Sequence, residues 1–72
     1  MALDLQVNGE RRRLDPAPTP TTIVLVLEAL AYNPQLVVAE HNGVIVPRTQ
    51  WPLTKVNDGD NLEIVTIVGG GS

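Results

Sequence analysis

The chain contains no cysteine, which removes disulfides, thiolate metal sites, iron–sulfur clusters and a cysteine nucleophile together. At 72 residues it is one domain near the lower size limit for an unstapled core, so packing alone must hold it. Phenylalanine is also missing, and Trp51 and Tyr32 are the only aromatic residues. The core is therefore aliphatic, and a base-stacking surface for nucleic acid is not expected. The single histidine, His41, has no second ligand or nucleophile near it in sequence and reads as a surface residue. No apolar run approaches the ~20 residues that cross a bilayer, and no charged-then-apolar leader precedes the first strand. The expectation is a soluble, cytoplasmic protein with no membrane partner.

Positive charge is scarce as well. Five basic residues face eight acidic ones, for a net charge of -3; this disfavours a polyanion partner and favours a protein with a basic surface. Arg11-Arg12-Arg13, the only basic cluster, is too short for a charge block and reads as a solvated strand face. An independent enzyme is hard to build from these residues, because no acid and base are paired recognisably and no Gly-rich loop opens a helix. The chain is not expected to be an enzyme. Asp58 and Asp60 flank Gly59, but the stretch lacks the closing glutamate of a calcium loop, so no metal is assigned.

What is present is an ordered set of short elements. Leu3, Leu5 and Val7 alternate with Asp4 and Gln6 as in a strand buried on one face. Asn8-Gly9 marks a hairpin, and the polar segment from Glu10 to Leu14 predicts an edge strand. Pro16, Pro18 and Pro20 make Asp15 to Thr21 a crossover loop. Thr22 is a candidate N-cap for a helix from Ile23 to about Tyr32, with Ile23, Val26, Leu27 and Leu30 as its core stripe. Ile23 to Leu27 also has strand propensity; the cap, the following Glu28-Ala29-Leu30-Ala31 and the need to cover a one-sided sheet favour helix. Asn33-Pro34 ends it. Leu36 to His41 and Val44 to Val46 read as strands joined by Asn42-Gly43, and Arg48 to Thr54 reads as irregular, with Trp51 plugging the core. Asn57-Asp58-Gly59-Asp60 is a turn, and Leu62 to Val68 is the last and most apolar strand.

That last strand carries apolar residues at both parities, which predicts a central position with part of its second face sticky. Strand, strand, helix and three strands then fit an α+β β-grasp fold, a mixed five-stranded sheet packed on one main helix. The domain is expected to occupy residues 1-68, with a flexible tail at residues 69-72. Gly69, Gly70 and Gly71 have no side chain to block a narrow channel. The tail reads either as a frayed end or as a presented carboxylate. Val65 and Ile67 are the candidates for an outward apolar patch that docks partners.

Asn8-Gly9-Glu10, Glu28-Ala29-Leu30, Glu40-His41-Asn42-Gly43-Val44-Ile45-Val46-Pro47-Arg48, Trp51, Asp58-Gly59-Asp60, Glu63-Ile64-Val65 and Val68-Gly69-Gly70-Gly71 together resemble the sulfur carrier protein of thiamine biosynthesis over nearly the whole chain. The resemblance implies a ubiquitin-like β-grasp protein without catalytic activity or bound cofactor. It implies that an E1-like activating enzyme uses ATP to adenylate the C-terminal glycine, that a sulfur donor converts the acyl-adenylate to a thiocarboxylate, and that thiazole synthase takes the sulfur. The implied carrier residue is Gly71 or Gly70. Ser72 departs from the usual glycine ending: it is removed before activation, is an addition to the natural end, or is itself the terminus. A molybdopterin-type carrier, a ubiquitin-like modifier and a plain β-grasp interaction domain remain the alternatives. The free protein is expected to be a monomer.

Overall fold

A computed structural model describes residues 1–67 of the chain. The alternating segment Leu3–Val7 forms β1, with Leu3, Leu5 and Val7 buried, and Glu10–Leu14 forms β2, which is exposed apart from Leu14. They pair antiparallel through the Asn8-Gly9 turn. Both turn residues have positive φ, 52° and 83°, the type I′ geometry whose twist matches that of the flanking strands. The chain then crosses to helix α1 (Ile23–Ala29) and continues as β3 (Val37–His41), β4 (Val44–Val46) and β5 (Asn61–Thr66). The sheet order is β2-β1-β5-β3-β4. β5 is central, parallel to β1 and antiparallel to β3, so the sheet is mixed as expected.

Helix α1 covers one face of this sheet. Ile23, Val26, Leu27 and Leu30 are buried against Leu3, Leu5, Val7, Val37, Ala39, Leu62 and Ile64, with Trp51 and Val56 completing the core. Each large aliphatic side chain withdrawn from water contributes about 2 kcal/mol, which is how so short a helix is held in place. Val24 and Leu25, off the stripe, are half-buried. Helix therefore prevails over the strand propensity of this segment, because only a helix buries these four positions on one side.

Several boundaries differ from the sequence expectation. The helix stops at Ala29 rather than near Tyr32, because Ala31 takes φ 70°. The Ala31 N–H donates to the Glu28 carbonyl and the Tyr32 N–H to the Leu27 carbonyl, closing a Schellman motif with alanine where glycine is usual. Thr22 occupies the N-cap with extended dihedrals, but its side chain makes no capping bond. It is buried and bridges to Lys55, so main-chain pairing roots the helix instead: the Ile23 N–H donates to Thr54 O and the Val56 N–H to Thr21 O. A 3-10 turn, Pro34–Leu36, capped by the Asn33 side chain, delays the third strand to Val37. Arg48–Leu53 is a 3-10 helix rather than irregular chain. It turns Trp51 inward, where the indole N–H donates to Val46 O at 2.9 Å. The last strand ends at Thr66; Val68, to which it was expected to extend, lies outside the described residues.

Candidate functional site

The site is built on the face of the sheet away from α1. Leu62 and Ile64 of β5 point into the core, so the alternation of a strand turns Glu63 and Val65 outward. In the β3–β5 register Val38 lies opposite Val65 and Glu40 opposite Glu63. Just past β5, the Ile67 N–H donates to Leu36 O, which continues the same alternation. Val65 is 58% and Ile67 48% exposed, which places both outside the core, as the sequence suggested. Val38, opposite Val65, and Leu36, bonded to Ile67, are exposed too and with them form an apolar strip along this end of the sheet. The exposed Ile45 on β4 lies one row further on, opposite Glu40. Sequence reasoning missed these three. The signal was there for Val38, since in Val37-Val38-Ala39 only alternate residues can face a helix.

The strip has an acidic border. Glu40 and Glu63 sit directly opposite one another, a like-charge pair that is unfavourable in the isolated sheet and favourable against a basic surface. Arg11, Arg12 and Arg13 lie on β2 at the far edge, with Arg13 paired to Asp4 at 3.2 Å and both side chains exposed, whereas Arg48 donates to Gln35 O beside Leu36.

The base of β5 is fixed by polar side chains. His41, expected on the surface, is half-buried and its Nε2 lies 2.7 Å from Asp60 Oδ2. That contact joins the end of β3 to the loop entering β5. Burial acts to raise the Asp60 pKa, but the Asn57 N–H, His41, the Asn42 amide and the His41 charge outweigh it and hold the carboxyl below its ordinary range. Asp58 Oδ1 accepts the Asp4 N–H at 2.8 Å. Both aspartates are thus occupied in structural bonds, and among the described residues no cluster of three or more potential ligands forms.

Two asparagines act on β5 from opposite sides. The Asn42 N–H donates to Asn61 O and Asn42 Oδ1 accepts the Asn61 N–H at 2.9 Å. Asn8 Oδ1 accepts the Ile64 N–H at 2.7 Å while Asn8 Nδ2 donates to Ile64 O at 3.0 Å. The sequence marked both only as turn residues. Gly69, Gly70, Gly71 and Ser72, the expected carrier tail, lie outside the described residues. No helix among the described residues is long and apolar enough to cross a membrane.

A mixed five-stranded sheet with one crossover helix and a central final strand defines a β-grasp domain. The ThiS family model matches residues 5–71, and the chain belongs to that family. A solved thiamine biosynthesis protein (ThiS) from Geobacter metallireducens superposes with a TM-score of 0.78 at 31% identity, covering 96% of this chain and all of that one. The chain is 39% identical over 70 residues to a thiazole synthase of Paramagnetospirillum magneticum, covering 97% of this chain but 21% of that protein. It is also 36% identical over 69 residues to the uncharacterised protein ycf40 of Pyropia yezoensis, covering 96% of this chain and 93% of that one.

Proposed function

We propose that this chain is a sulfur carrier for thiazole formation in thiamine biosynthesis, a substrate of other enzymes rather than a catalyst. The observation that carries this reading is its membership of the ThiS family across residues 5–71, a span that takes in the glycine run. A carboxylate is a poor electrophile until one oxygen leaves with a good leaving group. In the proposed sequence the terminal glycine carboxylate attacks the α-phosphate of ATP in an E1-like activating enzyme, releasing pyrophosphate. Hydrosulfide-level sulfur from the donor then attacks the acyl carbon and displaces AMP, giving the thiocarboxylate, which delivers its sulfur to thiazole synthase. Gly71 is the proposed carrier residue, with Gly70 the alternative; Ser72 is either removed before activation or an addition to the natural end. Glycines 69–71 offer nothing to obstruct entry to the activating site. The strip around Val65 and Ile67, bordered by Glu40 and Glu63, is the docking face. The thiazole synthase relative that contains a matching segment supports the choice of final acceptor.

Versions ending at Ser72, Gly71 and Gly70 are incubated with a thiamine-pathway activating enzyme, ATP and a sulfur donor, and their intact masses taken. The version ending at the carrier residue should gain the mass difference of sulfur for oxygen. No adenylate or thiocarboxylate on any of the three would sink the reading. In the same assay Val65→Asp with Ile67→Asp should keep the wild-type circular dichroism and lose activation; loss of the fold would instead make these residues core.

A further inference from the structure

β1 and β5 run parallel but pair only at Gln6↔Asn61 and Val7↔Leu62, because the chain turns at Asn8-Gly9 into β2. β5 continues to Thr66, so the backbone of Ile64 would be left open on the side that β1 has vacated. The Asn8 carboxamide closes both groups, accepting the Ile64 N–H at 2.7 Å and donating to Ile64 O at 3.0 Å. A primary amide presents the same donor and acceptor as a peptide unit, so Asn8 stands in for one further residue of β1. An aspartate there would keep the acceptor but lose the donor. A glycine would suit the positive φ and lose both.

Beyond this clamp no main-chain bond holds the described residues on the β1 side; on the other side β3 pairs with the strand as far as Thr66, and the Ile67 N–H donates to Leu36 O. Asn42 is a natural comparison. It too opens a type I′ turn, with φ 52°, and it too bonds β5 through its side chain, but at Asn61, where the strand enters the sheet.

We infer that Asn8 is a positioning residue for the carrier tail: its carboxamide fixes the β5 backbone at Ile64 and thereby the placement of Thr66 and Ile67, after which the carrier glycines follow in sequence. This rests on the carrier reading above. The clamped residue adjoins Val65, so the docking strip and the root of the tail share a few consecutive residues. When the strip is docked, the clamp determines how reproducibly the glycine carboxylate arrives at the activating site. Small errors of placement cost rate steeply, since a displacement of about 1 Å is enough for about a hundredfold loss.

The test compares Asn8→Gly with Asn42→Gly in the full chain, since each removes one carboxamide and each relieves the same positive φ. Amide hydrogen exchange at Ile64 and Val65 should quicken in Asn8→Gly and stay near wild type in Asn42→Gly. With the activating enzyme and ATP, kcat for adenylation should fall about tenfold or more for Asn8→Gly, with KM little changed because the docking strip is intact. Asn42→Gly should keep kcat once corrected for the folded fraction. Asn8→Asp, which keeps the acceptor, should lie between wild type and Asn8→Gly, and it serves as the test variant if Asn8→Gly does not fold. Equal losses of kcat in the two glycine variants, or unchanged exchange at Ile64 and Val65 when the Asn8 amide is removed, overturn the inference. If the wild-type chain itself is not activated, the carrier reading and the positioning role fall together, while the exchange contrast shows separately whether the clamp exists.

Discussion

Trp51→Ala probes how this small core closes. Trp51 is 2% exposed and stands on the 3-10 helix Arg48–Leu53, its indole N–H bound to Val46 O at 2.9 Å. The Arg48 guanidinium carbon lies 5.6 Å from the ring centroid. Truncating a buried tryptophan costs about 3–5 kcal/mol in lost transfer energy and residual cavity. The orphaned Val46 carbonyl adds about 1 kcal/mol or less, since β4 is an edge strand that water reaches. A domain of this size has a total stability of about 4–10 kcal/mol, so the substitution removes half or more of it. At about 4–8 °C per kcal/mol for a small domain, the melting temperature should fall by roughly 20 °C. Thermal and urea denaturation followed by far-ultraviolet circular dichroism measure this. Trp51→Phe retains much of the ring but no donor, and should lose about 1–2 kcal/mol, which separates packing from the hydrogen bond. A melting curve for Trp51→Ala within a few degrees of wild type would refute the placement of this side chain in the core.

Two further outcomes follow from local geometry. Ala31 holds φ 70° at the end of α1, where an alanine is disfavoured by about 1–2 kcal/mol; Ala31→Gly should gain about 0.5–1 kcal/mol after its greater unfolded-state entropy is counted, and a lower melting temperature would contradict it. The folded-state pKa of Asp60 is depressed below its ordinary value of 3.8, so its contribution is present above that value and is lost as pH falls through the folded pKa. Asp60→Asn should therefore be less stable than wild type by about 1–2 kcal/mol near neutral pH, and the gap should narrow below about pH 4; a gap in urea midpoints that stays constant from neutral to strongly acid solution would rule this out.

The order of elements and the central place of β5 were legible because they depend on hydrophobic parity. Leu3-Leu5-Val7 can be buried in only one way, and the last strand showed its central place by carrying apolar residues at both parities, Leu62 and Ile64 on one and Val65 on the other. The helix was legible from four residues at helical spacing even though its β-branched residues favour strand. The ends of elements were not. Ala31 in a left-handed conformation and the 3-10 helix around Trp51 are imposed by the need to turn back into the core, and neither residue announces this by its own preference. At the candidate site, Val65 and Ile67 were readable as surplus apolar residues. Asn8, Asn42 and the His41–Asp60 contact were not, because each bonds a strand that lies far away in sequence. A turn signal explained the asparagines fully at the local level, and so concealed their second use.

That second use bears on how, in the proposed carrier role, a domain this small would present its terminal glycine accurately. An aliphatic core without disulfides specifies which face of a strand is buried far better than where along the strand the sheet ends. Main-chain ladders fix that limit for β5 on the β3 side, where pairing continues as far as Thr66. On the β1 side they do not, since β1 turns away after Val7. One carboxamide, exposed to solvent and outside the core, supplies the missing rung. If Asn8 positions the carrier glycines as proposed, accuracy of presentation depends on a residue outside the hydrophobic core and should be separable from stability of the fold by mutation.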